Sequence, residues 1–218
     1  MANIRVLCLE LGILPTNTYL VWNEDTKECL VIDPSDGPEQ IISCIREQGL
    51  VPKAILITHG HDDHFGAVND LKREYGILTW LMKEEEETVI SIHYNLSSSM
   101  GGPRVIEGDL FFLDRQSVSF LGTGMTALLT PGHTPGGGCY WFPEEKIVFT
   151  GDTLFQGSVG RSDFPGGNGP QLIRSIEEKL MPLPDDTRVF PGHGPSTTIG
   201  YERKYNPFLQ QGPGETLI

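Results

Sequence analysis

The sequence predicts an α/β protein: an αββα sandwich, two sheets face to face with helices on their outer sides and a polar site at one edge. Three observations lead there. Each half of the 218 residues reads as several strands followed by at least one amphipathic helix. Four apolar runs end in a turn that delivers His or Asp: residues 54–57 before Thr58-His-Gly-His61, then Thr126-Ala-Leu-Leu-Thr-Pro-Gly-His133, Lys146-Ile-Val-Phe-Thr-Gly-Asp152 and Thr187-Arg-Val-Phe-Pro-Gly-His193. Finally, Ile57-Thr-His-Gly-His61 is echoed by Leu129-Thr-Pro-Gly-His133, a hint of two related halves facing each other. Sheet-rich folds run to roughly 200–250 residues as one unit, and no linker interrupts this chain, so residues 1–218 read as a single domain.

The elements follow in order. Residues 4–11, 18–22 and 29–33 alternate or cluster apolar side chains between turn residues such as Pro15-Thr16-Asn17 and Asn23-Glu24-Asp25, which predicts an opening β-meander. Pro38 starts a helix with Ile41, Ile42 and Ile45 on one stripe and Gly49 as its stop, and residues 54–58 form the next strand. Val68, Leu71 and Tyr75 sit at helical spacing, so a helix begins near His64 and ends at Gly76. Residues 77–82 read as a strand, Glu84 to Glu87 as the start of an exposed helix, and 95–108 as a long flexible loop bordering the site. The second half begins with strands near Phe111, Val118, Leu128, Tyr140 and Val148. A helix opened by Pro170 follows, with Leu172, Ile173, Ile176 and Leu180 on one face, then a strand reaching Phe190. Gly166-Gly-Asn-Gly169 lacks the Gly-Lys-Ser/Thr ending of a phosphate loop and reads as a turn into that helix. Trp22, Trp80 and Trp141 lie in strand-like runs and read as core.

Composition narrows the partners. Sixteen basic against 29 acidic residues give a formal net charge of −13, which repels phosphate backbones and argues against nucleic acid. Cys8, Cys29, Cys44 and Cys139 fall in apolar stretches without Cys-x-x-Cys spacing and read as reduced core residues, as in a reducing cytoplasm. No basic n-region precedes an apolar run at the N-terminus, and no run nears the ~18 apolar residues of a bilayer span. The expectation is a soluble cytoplasmic protein with no membrane partner; the sequence names no oligomeric partner.

His59, His61 and His64 crowd into six residues with Asp63 among them. A surface turn would use Asn, Asp or Gly, and protonated imidazoles repel one another, whereas neutral imidazoles and carboxylates are the donors that suit zinc, iron or manganese. With His133, Asp152 and His193 at the ends of the other runs, seven donors converge. One tetrahedral zinc takes four, so seven suit two divalent ions sharing a carboxylate, zinc first and iron or manganese as alternatives. His93 has no second donor at ligand spacing and reads as a surface or packed residue.

Thr58-His-Gly-His-Asp-Asp-His64, Pro131-Gly-His133-Thr-Pro-Gly136, Gly151-Asp152-Thr-Leu-Phe155, Ser158-Val-Gly-Arg161-Ser-Asp-Phe164 and Pro191-Gly-His193-Gly-Pro195 occur in one order. The ordered set resembles the metallo-β-lactamase-fold hydrolases over nearly the whole chain, in particular the short glyoxalase II-like (hydroxyacylglutathione hydrolase-like) group. The resemblance implies the metallo-β-lactamase fold with a binuclear site at one edge of the two sheets. It implies His59, His61 and His133 on one ion, Asp63, His64 and His193 on the other, and Asp152 between them. Class B lactamases lack the His after the Asp of the first motif, so by this resemblance His64 argues against a dedicated lactamase. Full-length glyoxalase II enzymes carry a C-terminal helical extension that helps hold glutathione; here only residues 194–218 follow His193, and the stretch 200–208 resembles the ending of the short subgroup. Tyr201 and Tyr205 in it read as tail packing on the body before pocket lining.

The chemistry follows. Two ions sharing a water lower its pKa from ~16 toward ~7, supplying hydroxide at neutral pH. A thiolate of parent pKa near ~8.5 departs without an acid, whereas an amide nitrogen must be protonated. The expected reaction is therefore hydrolysis of a small-molecule thioester such as an acylglutathione, with Asp63 orienting the nucleophile, Asp152 bridging, and Arg161 contacting the substrate as the basic residue of the larger enzymes does. A surface ion pair is the competing reading of Arg161. A mononuclear iron persulfide dioxygenase, which resembles the chain across Gly160-Arg-Ser-Asp-Phe164, a lactonase and a non-catalytic metal-binding module are the alternatives.

Overall fold

The computed structural model describes residues 2–100 and 102–210. Strands β1 (Ile4–Leu11), β2 (Thr16–Asn23) and β3 (Glu28–Ile32) make the antiparallel meander. The chain then passes through α1 (Pro38–Glu47) to β4 (Val51–Leu56) and through α2 (Asp62–Phe65) and α3 (Val68–Tyr75) to β5 (Leu78–Met82). From there α4 (Glu86–Ile90) and α5 (Ser97–Met100) lead to β6 (Leu110–Phe112). Each helical crossover returns the chain to the same end of the sheet, so β3, β4, β5 and β6 pair in parallel and their C-terminal ends share one rim.

The second sheet repeats the plan with hairpins first. Strands β7 (Ser117–Phe120), β8 (Thr123–Leu129), β9 (Gly138–Phe142) and β10 (Ile147–Gly151) run antiparallel in sequence. A two-stranded hairpin, β11 (Leu154–Phe155) and β12 (Ser158–Val159), and then α6 (Gly169–Ser175) carry the chain to β13 (Arg188–Pro191), parallel to β10. The edge strand β14 (Thr197–Thr198) and α7 (Ile199–Tyr205) follow. The orders are β1-β2-β3-β4-β5-β6 and β14-β13-β10-β9-β8-β7.

Packing gives the αββα layering its stability. The facing sides of the sheets share one cluster, with Val21, Leu30, Leu56 and Phe112 from the first against Met125, Tyr140, Phe142 and Phe149 from the second. Outside the first sheet, Leu20, Val31 and Ile55 meet Ile41 and Ile45 of α1 and Val68 and Leu71 of α3. Outside the second, Val148 and Val189 meet Leu172, Ile176 and Leu180 of the α6 segment. A ten-residue helix such as α1 is marginal alone, and burying Ile41 and Ile45 contributes about 1.5–3 kcal/mol each.

The structure departs from the sequence reading at five places. The helix expected near His64 starts at Asp62 and is interrupted, because Gly66 passes so close to the β3–α1 loop that an added Cβ would lie 2.0 Å from the Ser35 carbonyl oxygen. Phe111 belongs to the first sheet, since β6 completes its parallel edge beside β5. Residues 95–108 include α5 and are tied down: Asn95 is buried, its Nδ2 donates to the Arg104 carbonyl at 2.8 Å, and its own carbonyl accepts from Asp62 N–H at 2.9 Å. Gly101, within that stretch, lies outside the described residues. Glu85, in the acidic run expected on the surface, is fully buried. All four cysteines are free, but only Cys29 and Cys139 are buried; Cys8 is exposed on the edge strand β1. His93 is on the surface, and Asn168 caps α6 by accepting from Gln171 N–H, so the glycine-rich turn does lead into that helix.

Candidate metal centre

All seven donors meet at the rim where β4, β8, β10 and β13 end. His59, His61 and His133 bring one ring nitrogen each within 4.8 Å of one another, and ligand atoms of Asp63, His64 and His193 do the same. Asp152, directly after β10, lies between the two groups: Oδ2 is 3.5 Å from His133 Nε2 and 3.6 Å from His193 Nε2, and Oδ1 is 3.4 Å from His64 Nε2. His59, His61, His64 and His133 are buried, while Asp63, Asp152 and His193 face the opening.

The rings are aimed from behind. His133 Nδ1 donates to the Arg161 carbonyl at 2.6 Å, His193 Nδ1 to the Pro15 carbonyl at 2.8 Å, and His64 Nδ1 to Asp33 Oδ2 at 3.0 Å. An acceptor at Nδ1 fixes the tautomer and turns the Nε2 lone pair into the site, as metal-ligating imidazoles require. Two consequences show that the group suits cations. Nε2 of His59 and of His133 face each other at 3.2 Å, a contact between two neutral rings that repels unless a proton or a cation lies between the lone pairs. His61 Nε2 and Asp152 Oδ1 are buried with no hydrogen-bond partner, although buried polar atoms are nearly always partnered.

Electrostatics divide the site into two halves. Burial, reinforced by neighbouring imidazoles, holds His59 and His61 well below the usual histidine range, and burial lowers His133, so these three are neutral donors near pH 7. For His64 burial acts in the same direction but is outweighed by Asp63, Asp152 and Asp33, which push it up to about 10. His193 is raised by Asp63 and Asp152 against its burial, and Asp63 is lowered by His64 and His193 against its own.

Sequence reasoning missed the supporting residues. Asp33, at the end of β3 with φ 48°, accepts from Thr58 N–H at 2.7 Å, from Thr58 Oγ–H at 2.6 Å and from His64. Glu85 accepts from the backbone of Gly60 and Gly136. The start of β2 reaches across to the last donor: Asn17 Nδ2 donates to the Pro191 and Gly194 carbonyls, Tyr19 Oη to the Pro191 carbonyl, and Thr16 forms a β-bridge with His193.

Around the mouth, Phe164 packs edge-on against His61 with centroids 5.5 Å apart, and Phe155 lies 6.3 Å from His193. The opening is therefore apolar-lipped over a polar floor. Arg161 sits on this rim, exposed, in a two-pronged ion pair with Asp163 (2.9 and 2.7 Å) and 4.3 Å over the Phe164 ring. Tyr201 and Tyr205 lie against each other, tilted, with ring centroids 5.0 Å apart on the exposed side of α7.

Known proteins share this sequence pattern and fold. Residues 11–193 match the family model of the Metallo-beta-lactamase superfamily. The hydroxyacylglutathione hydrolase GloC of Haemophilus influenzae is 40% identical over 199 residues, 88% of this chain and 92% of that one. Among solved structures, the BLEG-1 B3 metallo-beta-lactamase superposes with a TM-score of 0.90 at 37% identity, covering 95% of this chain and 100% of its own. The di-iron-bound form of TTHA1623 gives 0.83 at 37% identity over 93% of this chain and 100% of that one.

Proposed function

We propose, from the premise that this chain belongs to the metallo-beta-lactamase superfamily and is one of its metal-dependent hydrolases, that the bond it cleaves is a thioester such as that of an acylglutathione. The observation that carries the reading is the pair of donor triads joined by Asp152, with the His59–His133 lone-pair confrontation that a divalent ion relieves. His59, His61 and His133 would hold one ion, Asp63, His64 and His193 the other, and Asp152 both. When bound, two such ions polarise a carbonyl and lower the pKa of a shared water. Zinc suits the nitrogen and oxygen donors, and the di-iron form of a 37% identical neighbour supports iron as the alternative.

The chain's own groups supply the rest. Asp63 Oδ2 lies 3.2 Å from Thr16 Oγ and 3.3 Å from His193 Nε2, which fixes a carboxylate at the mouth to orient a water. Phe155 and Phe164, beside His193 and His61, would shield the reacting bond. A departing thiolate needs no side-chain acid, which favours a thioester over an amide. Arg161 exchanges its exposed Asp163 partner for a carboxylate on the substrate, in keeping with the two-pronged geometry guanidinium offers. The acidic net charge favours a small-molecule substrate over nucleic acid, and the free cysteines favour a reducing cytoplasm. Among the described residues no helix is long and apolar enough to cross a membrane.

A β-lactam is the second reading. A chain described as a B3 metallo-beta-lactamase superposes over 95% of this one at 37% identity, which supports it. The test is metal analysis joined to a panel of acylglutathione, lactone, β-lactam and persulfide. Close to two ions per chain with preferred acylglutathione cleavage is expected. A single iron per active chain, with oxygen consumed on persulfide, would overturn the proposal.

A further inference from the structure

We propose that Glu85 is a positioning residue that ties the turn carrying His59 and His61 to the turn carrying His133, and so sets the common focus of those three imidazoles. Its side chain is fully buried just before α4. Oε1 accepts from the N–H of Gly60, the residue between His59 and His61, at 2.7 Å. Oε2 accepts from Thr134 Oγ–H at 3.0 Å and from Gly136 N–H at 2.7 Å, one and three residues beyond His133. One carboxylate thus joins ligand turns from the two different sheets, and only a group with two acceptor oxygens fits three converging donors.

The two turns are packed closely here. Gly136 runs so close to the Glu84–Glu85 peptide that an added Cβ would lie 2.2 Å from it. An apolar side chain in place of Glu85 would leave two buried amide N–H groups unpaired, which is costly. Burial pushes the Glu85 carboxyl up to about 7 against the hydrogen bonds from Gly60, Thr134, Gly136 and Thr88 that lower it, so the position carries a group that is unfavourable to bury. Holding two ligand turns at a fixed distance gives that cost a physical return.

The inference rests on the reading of His59, His61 and His133 as one metal subsite. It is tested in a His193→Ala background, where that subsite is the one left intact. Glu85→Gln keeps the shape but sets an NH2 donor against a backbone N–H whichever way the amide turns. Zinc affinity, read by competition with a chromophoric chelator, should fall roughly 10- to 100-fold, and the visible spectrum of the cobalt-substituted protein should change. Wild-type-like affinity and spectrum would overturn the proposal, even if the metal-free protein melted at a lower temperature, because that pattern is a purely structural role. Should Glu85→Gln fail to fold, Thr134→Val removes one of the three bonds at nearly constant volume and should weaken zinc roughly 3- to 10-fold. No weakening there overturns the proposal equally. A His193→Ala parent that binds no zinc would refute the metal subsite itself, and the tie with it.

Discussion

Replacing Asp33 with Asn tests how far the site depends on a residue that touches no metal. The carboxylate meets three donors: Thr58 N–H on Oδ1, and Thr58 Oγ–H and His64 Nδ1–H on Oδ2. Asn has the same shape but one acceptor. With its NH2 toward the backbone it meets Thr58 N–H, a donor that cannot reverse. With its NH2 toward Oδ2's partners, Thr58 Oγ can rotate to accept, and His64 must then offer a lone pair at Nδ1 and carry its proton on Nε2. That atom faces Asp63 at 3.7 Å and Asp152 at 3.4 Å, so a proton there competes with any ion held by the Asp63, His64 and His193 group. A hydrogen bond to a charged group contributes about 1.5–3 kcal/mol, so this subsite should weaken roughly 10- to 150-fold. The His59, His61 and His133 subsite should change little. Chelator competition resolves two stepwise affinities and kcat/KM at saturating metal reports the consequence. Two unaltered affinities in a folded Asp33→Asn protein would refute the tautomer argument.

Other outcomes follow from the same geometry. Asp152→Ala should weaken both ions together and His193→Ala mainly one, by metal content after dialysis; equal loss of both in His193→Ala contradicts the division. Arg161→Ala should raise KM for an anionic thioester about 5- to 10-fold with kcat and metal content near wild type, and leave a neutral thioester unaffected. An equal loss on both substrates would instead assign Arg161 to holding the loop whose carbonyl accepts from His133. In the metal-free protein, His64 rises from 6.5 to about 10, so its contribution to stability is full below pH 6.5 and is lost as pH climbs through about 10. Metal loading near pH 8 should therefore expel a proton from His64, which a pH-stat records as uptake of base; no release would refute the charged state.

The donors themselves were legible because each ends an apolar run or sits in a dense local motif, so strand burial and turn chemistry pointed to the same rim. Asp33 obeyed the rule that revealed Asp152: Cys29-Leu-Val-Ile-Asp33 is an apolar run closed by a carboxylate. It went unread because no imidazole accompanies it and its partners, Thr58 and His64, are distant in sequence. Glu85 was hidden by its neighbours, since four consecutive glutamates look alike and a charge run is ordinarily solvated. Its signal was helical spacing: Glu85, Thr88 and Val89 share the buried face. The apolar lip and the ion pair of Arg161 depend on how loops lie across the mouth, which no periodicity records. The break at Gly66 likewise depends on a close approach by the β3–α1 loop.

The stitch from β2 to the His193 turn has a consequence for the order of events as the chain folds. Asn17 and Tyr19 grip backbone 172 to 177 positions away, near the far end of the fold. Contacts of such separation form late, because a long loop must close before they repay its lost entropy. The first sheet alone brings three imidazoles and Asp63, but the orientation of His193 waits for Pro15, Thr16 and Asn17 to arrive. If the seven residues hold metal as proposed, a nascent chain would offer a partial donor set that binds weakly, and full affinity would appear only when both ends have met. Captured metal would then act as a seal on completed assembly, since any ligand specific to the finished state draws the equilibrium toward it.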